Sequence, residues 1–290
     1  MRKPAARRRP APRAAGARRP RAAATKAATH VYCLVAAAEA PKLQGAPRGL
    51  HGTGALRLVA AGSGRWLVVA DAPLAAYSAD AVNARLSDLE WVGERAMEHE
   101  GVIEHFAARG TVVPMKLFTL FSSDARAAAD VKGRRDLPRL LARLEDREEW
   151  GIRVSVDPVR LREAAAGKAR PGPGLSAGTR FLVQRQHEQR AVGAARAEAH
   201  RQAEGVFTAL LPLAVETRRR PPADVEGATL LVDAAFLVER ARSAAFTAAA
   251  RAQAERHAGS GLLVVLTGPW PPYNFLSPAP APASRTAAKR

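Results

Sequence analysis

Apolar and polar positions along the chain fall into short strand-like runs and longer stretches of helical period, and their order predicts a mixed α+β protein. Residues 30–37 are rich in Val, Leu and Tyr with weak alternation, which predicts a first strand. Two short runs follow at 56–60 and 66–70, separated by Gly62-Ser63-Gly64, the signature of a hairpin closed by a glycine turn. From Leu86 to Phe106 the apolar positions Leu86, Leu89, Val92, Ala96, Val102, Ile103 and Phe106 recur at three, four and seven, predicting a helix that stops at Gly110. Thr111-Val112-Val113 starts another strand, continuing through Leu117 and Phe118, and Pro114 marks an edge or a bulge because it cannot donate to a ladder. Asp124 and Asp136 are placed to cap two further helices, the second showing Leu137, Leu140, Leu141 and Leu144 on one face.

The second half repeats the logic more regularly. Ile152, Val154 and Val156 alternate with Arg153 and Ser155 in a strand at 150–156, and the glycines and prolines of 164–176 predict a loop. A long charged helix is expected over 179–210, anchored by Phe181, Leu182, Val206, Phe207 and Leu210. Strands at 213–217 and 229–236, a helix at 238–257 and a buried strand at 262–267 complete the order β-α-β-β-α-β. That is the ferredoxin-like order, two helices over one face of a four-stranded sheet. The first half suits a less regular relative of the same α+β plan. The expected division is a basic disordered arm at 1–28, an N-terminal α+β domain at 29–148, a C-terminal ferredoxin-like domain at 149–275 and a tail at 276–290.

Charge changes this picture only at the ends. The net charge of +18 would point to nucleic acid or an anionic surface if it were spread over the fold. Ten Lys or Arg and no acid lie within 1–26, and Arg285, Lys289 and Arg290 add three more. Of 45 basic residues, 32 then remain in the body against 27 acids, an ordinary balance. The prolines among the arginines of the arm predict disorder there. The single cysteine, Cys33, excludes an internal disulfide and fits a reducing cytoplasm. No apolar run approaches the roughly 20 residues of a membrane span, so a soluble protein without a membrane partner is expected.

Candidate chemistry is sparse. Gly45, Gly49, Gly52 and Gly54 precede a strand and are followed by no Lys-Ser or Lys-Thr pair, so they do not form a phosphate loop. His99 and His105 are six positions apart, about 120° around a helix, and cannot face one metal. Glu100 and Glu104 share a face and read as a solvated carboxylate pair. H-E-x-x-H and C-x-x-C are absent, and no cofactor is expected. The basic arm offers an alternative, nucleic-acid association through phosphate contacts, but aromatics for stacking bases are missing from it and no specific nucleic-acid partner is expected.

What stands out is Gly268-Pro269-Trp270-Pro271-Pro272-Tyr273-Asn274-Phe275, directly after the last apolar run. Three prolines fix φ and remove three donors, so the ladder should end and the chain leave as a stiff segment bearing Trp270, Tyr273 and Phe275. Such rings either lid the protein's own core or dock on a partner. This ending resembles that of the gas vesicle GvpL/GvpF family. Further stretches match in order: Val31-Tyr32; His99-Glu100-Gly101-Val102-Ile103; Thr111-Val112-Val113-Pro114-Met115-Lys116-Leu117 with Thr119 and Phe121; Glu149-Trp150-Gly151-Ile152-Arg153-Val154; Gly178-Thr179-Arg180-Phe181-Leu182; and Ala234-Ala235-Phe236-Leu237-Val238. Many relatives carry Gly where this chain has Phe118, and the long basic arm is atypical. The resemblance implies two ferredoxin-like α+β domains and a non-enzymatic minor component or assembly factor of cytoplasmic gas vesicles. Its partners would be the small apolar shell protein and other gas vesicle accessory proteins. Pro114, Lys116, Trp150, Trp270, Pro271, Pro272, Tyr273 and Phe275 are the candidate partner-binding or structural positions.

Overall fold

A computed structural model describes residues 26–166, 177–221 and 228–277. Most of the expected arm at 1–28, most of the loop at 164–176 and nearly all of the tail at 276–290 lie outside the described residues.

The first sheet is antiparallel and runs β2 (Arg57–Ala60), β3 (Arg65–Pro73), β1 (Ala27–Ala36), β4 (Thr111–Pro114), with the short β5 (Leu120–Phe121) also on β1. The β2–β3 hairpin turns where expected, with Gly62 and Gly64 at φ 121° and 63°, a region open to glycine at no steric cost. The weak alternation of β1 has a structural cause. The register shifts between Val31 and Cys33, so Tyr32 and Cys33 both point to one face while Val31 and Leu34 point to the other. Both faces of β1 are therefore buried. β4 is an edge, as Pro114 predicted, but the strand ends there, and a Lys116–Thr119 turn separates it from β5.

Two short helices, α1 (Leu74–Tyr77) and α2 (Ala79–Asn83), lead into α3 (Leu89–Ala107), whose N-cap Asp88 accepts from the Trp91 amide at 3.0 Å. The expected apolar face of α3 is correct only toward its C-terminus. Leu86 and Leu89 are exposed, and Trp91, Arg95 and His99 are buried with Val102, Ile103 and Phe106. Arg95 can be buried because Glu94 and Glu98 neutralise it. α4 (Asp124–Gly133) and α5 (Leu137–Leu144) cover the opposite face of the sheet. Ser123, one residue before the expected cap, accepts from the Arg126 amide, while Asp124 is held by Arg57 and Thr29. Asp136 occupies the second cap position, but its carboxylate binds Arg134 instead of the helix end.

The second sheet is β7 (Glu216–Arg219), β8 (Thr229–Glu239), β6 (Arg147–Val156), β9 (Leu262–Trp270), again antiparallel. With α7 (Ala177–Leu210) after β6 and α8 (Ser243–His257) after β8, the observed order is the expected β-α-β-β-α-β, with α6 (Pro158–Ala166) as an additional helix where the loop was expected to begin. Residues 213–215 belong to a 3-10 turn that contains Pro212 and to its connector, and the pairing with β8 starts at Glu216. β8 runs three residues past the expected end, taking Val238 into the core, and α8 starts only after a turn at Arg240–Arg242. α7 and α8 pack on one face through Val206, Phe207, Leu210 and Phe246. The other face turns Ala235 and Leu237 toward α4 and α5, into one cluster with Val31, Leu34 and Phe275. The middle helices are thus shared by both sheets.

Candidate interaction site at the proline-aromatic segment

β9 carries the segment further than its prolines suggest. The ladder with β6 runs through Gly268 and a cis Gly268-Pro269 bond to Trp270, which pairs with Glu149 after a register shift between Glu149 and Gly151. The prolines stay in the strand because β9 is an edge, where missing donors can face away from β6. The same edge position leaves Leu263 and Val265 exposed, so the strand is only half buried. Gly268 has φ 117°, and a Cβ there would sit 2.9 Å from the Glu149 carbonyl oxygen and 3.2 Å from the Trp150 ring. No other residue fits this approach of backbone to backbone.

From Trp270 onward the segment is fastened by groups far away in sequence. Glu149, buried in β6, accepts from the Asn274 amide at 2.9 Å and from its side-chain amide. Burial pushes the Glu149 carboxyl above the usual range, against the pull of the Asn274 hydrogen bonds and of Arg220 and Arg218. Arg143 of α5 donates to the Phe275 and Ser277 carbonyls, and Arg218 of β7 also reaches Ser277, its guanidinium 5.2 Å from the Phe275 ring. The Tyr273 hydroxyl donates to Glu100 Oε2 of α3. Burial raises the Tyr273 hydroxyl pKa strongly and the adjoining Glu100 carboxylate raises it further, so it remains a donor. Glu100 is itself raised, first by burial and then by Glu104, and its Oε1 is buried without a hydrogen-bond partner. It therefore differs from the solvated carboxylate expected at this position.

The three aromatics consequently split. Phe275 is fully buried and belongs to the cluster between the sheets, while Trp270 is 40% and Tyr273 38% exposed. Pro271 and Pro272 beneath them are buried. Trp270 overhangs a cleft of about 240 Å³, bordered by Glu104 and Ala107 of α3, Arg147 and Glu148 of β6, and Arg240. Arg240 ties the cleft together, donating to Glu148 Oε2 at 3.3 Å and to the Ala107 carbonyl near the C-terminus of α3, where a cation is favoured.

The remaining sequence-predicted positions lie elsewhere. Trp150 is buried on the helical face, its Nε1 within 3.2 Å of Glu148 Oε1 and its ring 6.3 Å from Phe246. Pro114 is buried opposite Cys33 in β4, and Lys116 is exposed, its carbonyl accepting from Thr119 in the following turn. Within that turn Phe118 has φ 62°, the left-handed conformation that glycine adopts freely. The Phe118 ring compensates by stacking on Trp91 at 5.4 Å and lying 6.2 Å from Tyr77. Glu100, Arg143, Glu149, Arg218 and Arg240 escaped the sequence reading of the site. Glu149 alone had a local signal, as an acid at the head of an apolar strand.

Another polar cluster lies inside the first sheet. His30 is fully buried with both ring nitrogens unpartnered, its centroid 4.5 Å from Tyr32 and 5.3 Å from His99. Burial lowers His30 to about 3, with neighbouring His99 adding to the effect, and burial also lowers His99, whose Nε2 lies 3.0 Å from the Met115 carbonyl. Among the described residues no group of three His, Cys, Asp or Glu could hold a metal, and no helix is long and apolar enough to cross a membrane.

What this geometry defines is a mixed helix and strand protein of two antiparallel sheets presenting an aromatic ledge over a polar-rimmed cleft. Comparison with known proteins gives that surface a family. The model of the gas vesicle synthesis protein GvpL/GvpF family matches residues 28–277, so the chain belongs to that family. It is 30% identical over 239 residues to gas vesicle protein L of Streptomyces sp. (strain CB03234), covering 79% of this chain and 86% of that protein. The crystal structure of gas vesicle protein GvpF from Anabaena sp. PCC7120 superposes with a TM-score of 0.61 at 17% identity, covering 87% of this chain and 96% of that one. GvpF from Microcystis aeruginosa gives 0.61 at 16% identity, covering 86% and 99%.

Proposed function

We propose that this chain is a non-enzymatic minor component or assembly factor of gas vesicles that binds the small apolar shell protein as the vesicle forms. Membership of the GvpL/GvpF family supports a role connected with gas vesicles. The observation that carries the finer reading is the split of the aromatic segment: Phe275 anchors it in the core, while Trp270 and Tyr273 stay exposed on a stiff backbone. Rigid, half-exposed rings lose little conformational freedom on docking and favour apolar partners. A shell subunit with a gas-facing apolar surface is prone to aggregate before assembly, and such a ledge would shield it. The reading is tested by deleting the gene from a host that makes gas vesicles. Shell protein should still be made while intact vesicles are lost, and vesicle formation should return with the full chain. Unchanged vesicle yield in the deletion strain would refute the role.

A further inference from the structure

The exposed side of α3 is unusual for a helix packed on a sheet. Leu89 is 81% and Met97 70% exposed, and Gly93 lies between them with open space where its Cβ would be. At about 100° per residue, Leu89, Gly93, Met97, Glu100 and Glu104 fall on one stripe, turned away from the buried face of Trp91, Arg95, Val102 and Phe106. The stripe leads directly to the aromatic ledge, because Glu100 holds Tyr273 and Glu104 borders the cleft beneath Trp270. From Leu89 to Glu104 it is roughly 22 Å long at 1.5 Å per residue.

Its own side chains are acidic, although Arg147 and Arg240 share the cleft that Glu104 borders. Glu90, Glu100 and Glu104 form no salt bridge among the described residues, and the basic residues of the helix are engaged elsewhere. Arg95 is buried against Glu94 and Glu98, and Arg109 donates back to the His105 carbonyl. Glu100 and Glu104 are one turn apart, a repulsive pair on an isolated helix, and Glu100 Oε1 lacks a donor. Glu104 is the exposed member of the pair, and an incoming ammonium or guanidinium beside it would relieve the repulsion.

We propose that this stripe, together with Tyr273 and Trp270, is a docking surface for a basic amphipathic helix of a gas vesicle protein, an inference that rests on the function proposed above. The apolar side chains of that helix cover Leu89 and Met97, its backbone approaches over Gly93, and a lysine or arginine further along reaches Glu104. A helix fits better than a strand. The depression at Gly93 between two side chains at helical spacing accepts a ridge of another helix, and α3 offers no open backbone edge for strand pairing.

The test uses the full chain and two synthetic helical peptides of about 18 residues. Both carry leucines at i and i+4, and one bears lysines where the other bears glutamates. The lysine peptide should bind, and Glu104→Lys, or Leu89→Ser with Met97→Ser, should weaken it at least tenfold; all three positions are exposed, so the fold should persist, as circular dichroism will verify. Gly93→Ala should weaken binding without loss of thermal stability. Equal binding of both peptides, or undiminished binding by these variants, overturns the proposal. The same variants are then tried against the shell protein. If wild type and Glu104→Lys bind it equally, the stripe is refuted and the proposed function stands; if wild type never binds it, the proposed shell partnership fails instead.

Discussion

At the scale of single residues, the two ends of the aromatic segment separate stability from surface. Phe275 fills the cluster between the sheets, so Phe275→Ala should cost about 3–5 kcal/mol by denaturant unfolding. Trp270, at 40% exposure, should cost about 1 kcal/mol or less when changed to Ala, a reversal of what a core role for that ring would require. Phe118 makes a different point. Its left-handed backbone costs an L-residue about 1–2 kcal/mol, offset here by its rings' contact with Trp91 and Tyr77. Phe118→Ala should therefore be less stable than Phe118→Gly by about 1 kcal/mol, opposite to the usual order of Ala and Gly in helices. His30 provides the pH dependence. Its folded value, about 3, lies below the unfolded 6.5, so the unfolded chain binds the proton more readily as pH falls. Stability is full above about 6.5 and is lost progressively toward pH 3. Between pH 6.5 and 5 the loss should be about 1.5 kcal/mol from His30 alone, and His30→Leu should flatten the profile. An unchanged slope in that variant would place the acid sensitivity elsewhere.

At the scale of elements, legibility followed burial. The hairpin β2–β3, the long helix α7 through its anchors Val206, Phe207 and Leu210, and the order of the second sheet were readable because glycine turns and apolar periods agree with the packing, while the side chains of Phe181 and Leu182 lie outside the described residues. α3 was readable in extent and misaligned in face. Arg95 and His99 are polar by type and buried in fact, one by ion pairing and the other against Tyr32 and Met115, while Leu89 is apolar and exposed. β9 outran its prolines because an edge strand tolerates absent donors, and whether a strand is an edge is a tertiary fact. Its exit depends on Gly268. Gly268→Ala would place a Cβ 2.9 Å from the Glu149 carbonyl at a positive φ, and should destabilise by about 2–3 kcal/mol with a change in Trp270 fluorescence.

At the scale of the whole molecule, the contacts that build the ledge were invisible in the sequence. Tyr273 meets Glu100 across 173 positions and Arg143 meets Phe275 across 132, distances over which no local pattern carries information. What the sequence did carry was the family, through ordered short matches that the comparison over residues 28–277 bears out. The expected boundary at 148 and 149 falls just inside β6, and the core of α4, α5, Ala235, Leu237 and Phe275 crosses it, so the ledge is held by both halves. Its position over the cleft thus depends on the intact chain. The most direct measurement is affinity capture of the full chain co-expressed with the shell protein, compared with the double variant Trp270→Ala, Tyr273→Ala. The shell protein should co-elute with the wild type and be reduced at least tenfold with the folded double variant. Failure of the shell protein to co-elute with the wild type, or equal recovery with both, would contradict the account.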